Sequence, residues 1–490
     1  MEETNKHQDA SLDHILKYTG VFGGVQGLNI LISIVRNKLA SKLLGAAGFG
    51  MMGFYLSISE FINSCSNLGI PISSVQHLSE LFEEGDEARI TRFIRIVRTW
   101  CLWTAILACF ICGIAAAIYD WQVILLAPMV MSLAITGGEI SILKGMRRLK
   151  RVAIISLLGA IATFCVTIPF LWALRMKGII LSLDCSAMMI TAINLAFTLP
   201  LFPWRVEPTS KAALQEGMPL LRIGIPYVLT GIAGTGVFML TQAFLREAAS
   251  DAILGYYRAG YTIMISYAGI VFTAMEPDFF PRLSSVNHDQ QRRNATINQQ
   301  IRACTLLMGP MLIALIMMVP YLLQMLYTTE FLPAEAMMVC MVFYMFLRCV
   351  SVPIAFIALS RGDSKIYLVM EVLYDLFSLA AMIFCYTQWQ LVGFGIGLSL
   401  SGLFDVLLIY ACYSRHYKFR FEWNTLRFTV EQGITLALAV AACLWLPTLW
   451  KFVCCIMLFL IAGTRSYRIL LRESDIIQRL SSKIRKKLHL

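Results

Sequence analysis

Charge is what this chain has least of. Of its 490 residues only 14% are charged and 58% are hydrophobic, with a mean hydropathy of +0.70. Soluble domains run near a quarter charged, so a water-soluble protein is excluded. Histidine is scarce, at 6. No Ser/His/Asp set, Cys/His ligand spacing or Gly-rich phosphate loop stands out, so neither an enzyme nor a resident metal or cofactor is expected. The ten-residue alternating segments of an outer-membrane barrel are missing, and the apolar runs are instead about twenty residues long. A contiguous basic domain is also missing. The net charge is +11, but the Lys and Arg residues interrupt apolar spans, so nucleic acid is no expected partner. Residues 1–16 are polar and slightly acidic, without the basic start of a cleavable signal, so the first span is expected to be retained.

What is there is an all-α integral membrane protein. Apolar spans cover about 18–39, 50–70, 100–118, 123–143, 153–173, 179–201, 220–245, 252–280, 303–327, 334–359, 366–386 and 392–413. Two shorter runs at about 428–446 and 449–463 make fourteen, with twelve as the alternative. The 14 cysteines, Cys101, Cys109, Cys112, Cys165, Cys340 and Cys443 among them, lie mostly inside these runs. They are expected to be small buried hydrophobes rather than disulfides. With the amino terminus inside, the inner segments hold 32 of the 41 Lys and Arg. That asymmetry calls for an even number of spans and both termini on the cytoplasmic side.

The spans repeat. A shift of 205 places Leu16-Lys17 on Leu221-Arg222, Gly50 on Gly255 and Leu78-Ser79 on Leu283-Ser284 without a gap. Six spans separate the copies, so both have the same orientation. Two parallel six-span repeats around a central cavity are therefore expected. The organisation read from this is an N-terminal lobe at 1–201, a cytoplasmic linker at 202–219, a C-terminal lobe at 220–413, the last two spans at 414–464 and a basic tail at 465–490. In the tail Ile477, Leu480, Ile484 and Leu488 share one helical face, as in a helix lying on an anionic membrane surface.

Polar stripes mark the first two spans of each repeat. Gln26, Asn29, Ser33 and Arg36 share a face of the first, and Glu60, Asn63 and Asn67 a face of the second. Thr235, Gln242 and Arg246 share a face of the seventh span, and Arg258, Thr262, Ser266, Gly269, Thr273 and Glu276 a face of the eighth. Such groups are costly in hydrocarbon unless they face protein or water, so the stripes are read as a substrate path. Arg36, Arg258 and Arg246 are candidate anion ligands, because a guanidinium grips phosphate oxygens bidentately. Snorkelling to head groups is the alternative for Arg36 and Arg258, and a local ion pair with Glu247 or Asp251 for Arg246. Gln26, Asn29, Asn63 and Gln242 offer amides for sugar hydroxyls, and Tyr257 and Tyr261 offer rings. Glu60, a lone acid in its span, is the candidate ion-coupling carboxylate. Arg348, Glu371, Asp375 and Asp405 are expected to form a structural ion-pair network, since a buried charge needs a partner. Glu139 is expected to pair locally with Lys144.

The stretch from Arg36 through Gly45 and Gly48 to Gly50 resembles the A-R-L-L-G-x-x-x-F-G junction of polysaccharide flippases. Asn67-Leu68-Gly69-Ile70, Lys144-Gly145-Met146-Arg147, Leu254-Gly255-Tyr256-Tyr257 and Phe280-Pro281-Arg282 match the same pattern. The likeness spans about residues 12–413 and is to the lipid-linked oligosaccharide flippase branch of the multidrug/oligosaccharidyl-lipid/polysaccharide (MOP) exporter superfamily. It implies a bacterial inner-membrane protein that moves an undecaprenyl-pyrophosphate-linked repeat unit across the bilayer by alternating access for surface polysaccharide, such as O-antigen. It also implies coupling to an H+ or Na+ gradient, and the lipid-linked oligosaccharide, membrane lipids and other polysaccharide-assembly membrane proteins as partners. Two rivals remain. A drug/cation antiporter of the same superfamily should carry net acid in its cavity. A membrane polysaccharide polymerase or ligase usually needs a sizeable outer loop, and none here exceeds about a dozen residues.

Overall fold

The computed structural model describes residues 2–206 and 211–473. The side chain of Gln26, residues 207–210 of the expected linker and residues 474–490 of the expected tail lie outside the described residues. The helices run in chain order as α1 (Glu2–Ser66), α2 (Ile70–Glu84), α3 (Glu87–Ile118), α4 (Ala127–Gly145), α5 (Leu149–Leu174), α6 (Gly178–Thr198), α7 (Lys211–Ala248), α8 (Asp251–Tyr261), α9 (Ile270–Ser285), α10 (Gln290–Leu326), α11 (Glu335–Arg361), α12 (Ser364–His416), α13 (Trp423–Trp445) and α14 (Thr448–Glu473). Among the described residues there is no strand. All 14 cysteines are free thiols, including Cys109 and Cys112 at a C-x-x-C spacing in mid-helix.

Among the described residues ten helical stretches are long and apolar enough to cross a membrane. Three of them turn back on themselves. The α1 break is Gly45, at φ 68° and ψ −174°, a region open essentially to glycine alone. Arg36 and Glu60, on either side of it, line one small pocket. A straight helix would hold them about 36 Å apart. The α5–α6 pair reverses through a 3₁₀ turn at Arg175–Lys177, and Thr167 and Ser186 meet across it at 3.2 Å. Inside α12 the break falls at Trp389 and Gln390, and Phe377 stacks on Phe404 at 3.9 Å. Arg175 (φ 52°, ψ −131°) and Gln390 (φ 48°, ψ −135°) have nearly the same unusual backbone. They occupy matching hairpins, between spans five and six and between eleven and twelve. The eighth span is interrupted rather than continuous, as α8, a π-helical turn at Thr262–Tyr267 and α9. With α13 and α14 both formed, the ten stretches cover thirteen of the fourteen expected spans, and the interrupted eighth lies outside them.

Helix ends follow local chemistry. Pro71 opens α2 within its first turn, where a missing N–H costs nothing. Gly85 ends α2 in the left-handed conformation, its N–H bonded to the Leu81 carbonyl. Asp86 caps α3 by accepting the Arg89 N–H at 3.0 Å. Asp120 caps the short turn before α4 by accepting from the Gln122 N–H, also at 3.0 Å.

The chain forms two compact units. The first comprises Met1–Arg246, Ser250–Gly255 and Leu326–Thr328, and the second Glu247–Ala249, Tyr256–Met325 and Thr329–Leu490. This division falls later than the lobe boundary read from sequence. Nearly all of α7 packs within the first unit, for a backbone reason. Gly224 lies against the backbone of Gly69, Gly217 on the Trp100 ring and Gly236 on Phe61. Gln242 donates to Ser57 Oγ at 2.7 Å. Gly50 and Gly255, paired by the 205-residue repeat, also touch within this unit. A Cβ on Gly50 would lie 2.6 Å from the Gly255 nitrogen.

Candidate functional site

The first unit brings two of the expected residues together. Arg36 from the leading half of α1 and Glu60 from its returning half line a cavity of about 240 Å³. Hydroxyls of Ser132 and Thr136 on α4, Thr163 and Thr167 on α5, and Ser186 on α6 complete its polar wall. Several are already oriented: Thr136 meets Thr191 at 2.9 Å, and Thr163 donates to the Gly159 carbonyl at 2.8 Å. Arg36 is half-buried and lies 3.4 Å from Asn37 Oδ1, whereas Glu60 is exposed. Pockets that hold whole ligands run from roughly 300 Å³ upward. This one suits a charged group or a single ring rather than an oligosaccharide. A guanidinium, a carboxylate and hydroxyls in one cleft can take an anionic oxygen or exchange a proton with the carboxylate.

A second and larger cavity of about 840 Å³ lies in the same unit, lined in part by Tyr55, Gln122, Lys177 and Asp184. Tyr55 donates to Gln122 Oε1 at 2.7 Å. Asp184, a buried acid inside α6, accepts the Met129 N–H at 3.2 Å. It thereby caps α4, which has no capping side chain of its own. Met129 and Leu183, neighbours of this contact, line the Arg36–Glu60 cavity. Sequence reasoning overlooked Asp184, although it carries the signal that singled out Glu60, a lone acid within a span.

The other expected residues of this unit divide. Asn29 donates to Ser156 Oγ at 2.8 Å. Asn63 keeps a buried Oδ1 with no hydrogen-bond partner among the described residues. Asn67 Oδ1 accepts the Gly69 N–H at 2.9 Å and shapes the turn into α2. Gln242 is fully buried in its bond to Ser57. Arg246 lies 3.6 Å from Asp120 and 3.9 Å from Asp251, with its guanidinium 5.3 Å from the Phe54 ring centroid. Glu139 needs a correction. It pairs with Arg98 and not with Lys144, through bonds of 2.7 and 2.9 Å, with both side chains 2% exposed. Arg98 also donates to the carbonyls of Phe202 and Pro203, and stands 5.0 Å from the Trp204 ring centroid. Lys144, a turn away from Glu139, is exposed.

The second unit gathers the rest. Arg258, half-buried on α8, lies within electrostatic reach of Tyr257 and Tyr261. Tyr261 also feels Arg348 and Asp375. Arg348 stands 5.9 Å from the Tyr344 ring centroid and in the field of Asp405 and Glu371. Tyr374 donates to the Tyr344 hydroxyl at 3.1 Å, and Asp405 is hydrogen-bonded to Ser351. Asp375 and Asp405 are buried. Two cations, three acids and several phenols thus share one region of α8, α11 and α12. Among the described residues no three His, Cys, Asp or Glu converge as metal ligands.

Comparison with known proteins agrees with this architecture. Residues 39–336 match the polysaccharide biosynthesis protein family. No curated protein sequence matches the chain. Solved structures share the fold at low identity. One is the lipid II flippase MurJ in an inward closed conformation, with TM-score 0.60 and 13% identity over 92% of this chain and 99% of that one. Another is an inward-facing multidrug resistance MATE family transporter of the MOP superfamily, with TM-score 0.64 and 13% identity over 80% of this chain and 96% of that one. A Vibrio cholerae MATE transporter gives TM-score 0.54 and 12% identity over 81% and 98%. The chain belongs to the polysaccharide biosynthesis protein family and carries the multi-pass fold of the MOP superfamily of flippases and transporters.

Proposed function

We propose that this protein flips an undecaprenyl-pyrophosphate-linked oligosaccharide repeat unit from the inner to the outer leaflet of the bacterial inner membrane. Alternating access is the mode, an ion gradient the drive and surface polysaccharide the purpose. The observation that carries the reading is a polysaccharide-biosynthesis family match on a chain with a flippase fold. Arg36 of the first unit and Arg258 of the second are each a ligand for pyrophosphate oxygens along the path, since guanidinium forks suit phosphate. Asn29 and Asn63 serve the sugar, together with Gln26. Gln242 and Arg246 play a supporting part, because Gln242 is fully buried and Arg246 lies between Asp120 and Asp251. Glu60 couples transport to the gradient, gaining and losing a proton or Na+ beside Arg36. Arg348, Glu371, Asp375 and Asp405 hold the helices of the second unit together. Both termini lie in the cytoplasm, and the two lobes of six spans are the moving parts.

The test is Arg258→Ala and Arg36→Ala in cells that make the polysaccharide. With the proteins inserted at normal levels, lipid-linked units should accumulate on the inner leaflet and surface polysaccharide should fall at least about tenfold, as expected for losing one charge-assisted contact. Normal polysaccharide in both variants would remove the cationic path. Cation antiport is the second reading, favoured by the likeness to MATE transporters and by three acids, Glu371, Asp375 and Asp405, against two arginines, Arg258 and Arg348, in the second unit. Drug resistance that the protein confers and Glu371→Gln abolishes, with polysaccharide intact, would establish it instead.

A further inference from the structure

The last two helices lie beyond the stretch matched by the family. At the end of the bundle where α13 begins and α14 finishes, they form a basic pocket of about 260 Å³ with α10. Arg302, Arg427 and Arg465 supply three guanidinium groups, against one carboxylate, Glu431. Glu431 splays two of them: Arg427 Nε reaches one carboxylate oxygen at 3.0 Å and Arg465 Nη2 the other at 3.1 Å. Arg302 lies 3.9 Å from Glu422. At Arg427 and Arg465 five N–H donors per guanidinium exceed what these bonds use, and the two side chains are 66% and 51% exposed. Asn424 adds an amide and the first turn of α13 its positive end. Phe428 and Ile469 give the pocket an apolar floor.

Its depth is marked by two aromatics. Trp423 on α13 is 73% exposed and Tyr467 on α14 is 49% exposed, as in the aromatic belt at the level of lipid head groups. A cationic, fork-lined cleft near such aromatics, with apolar side chains in its lining, fits a phosphodiester with acyl chains beside it. We propose that this pocket is a binding site for the head group of an anionic phospholipid. The lipid phosphate sits among the three arginines, and Glu431 positions Arg427 and Arg465 and limits the affinity.

The purified full-length protein in detergent tests this by titration with phosphatidylglycerol, read by thermal denaturation and by native mass spectrometry. Phosphatidylglycerol should raise the melting temperature, and phosphatidylcholine and inorganic phosphate should not. Arg427→Gln with Arg465→Gln should weaken phosphatidylglycerol binding at least tenfold, equivalent to about 1.4 kcal/mol. Glu431→Gln, which removes only the competing carboxylate, should tighten it and tests the site even if the double variant fails to fold. Equal shifts with phosphatidylcholine, an effect reproduced by inorganic phosphate alone, displacement by farnesyl pyrophosphate at lower concentration, or undiminished binding in a folded double variant would each overturn the assignment.

Discussion

At the scale of single residues, the polar groups in the spans sort by what they touch. Arg98 and Glu139 are a closed pair whose bonds are all spent inside the first unit. Removing one member strands a buried charge. Glu139→Ala should destabilise the protein by about 3–5 kcal/mol, visible as a lowered melting temperature or poor membrane accumulation. Asp184 differs, because its described bond is a helix cap on α4. Asparagine keeps an acceptor for the Met129 N–H, and alanine does not. Asp184→Ala should therefore cost about 0.5–2 kcal/mol in thermal denaturation, and Asp184→Asn much less. Equal losses would show that charge rather than capping matters there. Arg36 and Glu60 share a cavity, so their substitutions should not add: the double variant should transport no worse than the poorer single one.

At the scale of elements, the turns between spans carry the backbone cost. Gly45 was visible in sequence as part of a glycine-rich junction, and its backbone explains it. The hairpin in α1 passes through a conformation that a Cβ excludes. Gly45→Ala should cost about 1–3 kcal/mol, measured as loss of folded protein on heating. The hairpins at Arg175 and Gln390 are the reverse case, side-chain-bearing residues in an unfavourable region. Gln390 is exposed, with no packing to lose. Gln390→Gly should raise the melting temperature, and an unchanged or lower value would contradict the strain argument. Hydropathy placed both turns, as the gaps at 174–178 and 387–391 between spans, but not their backbone, since neither Arg175 nor Gln390 is a glycine.

At the scale of the whole molecule, spans thirteen and fourteen were the weakest part of the hydropathy pattern. Both are formed helices, joined by a turn at Leu446 and Pro447. A reporter inserted at Pro447 should lie on the opposite side of the membrane from one fused after the last residue. A result on the same side would return the count to twelve crossings.

Composition and period alone determined that this chain is a helical membrane protein of many spans, because the bilayer leaves so few ways to satisfy a backbone. The glycine at the first hairpin was legible too, as part of a glycine-rich junction, and the 205-residue shift aligned Gly50 with Gly255, but only the structure brought those two into contact. Tertiary structure decided which polar groups are partners. Arg98 lies 41 positions from Glu139, Met129 lies 55 from Asp184 and Ser57 lies 185 from Gln242. A stripe on one helix says that its polar groups avoid lipid, but not which neighbouring helix turns toward them. That choice is made by close packing between helices, where glycines and small hydroxyls admit one approach and exclude the rest.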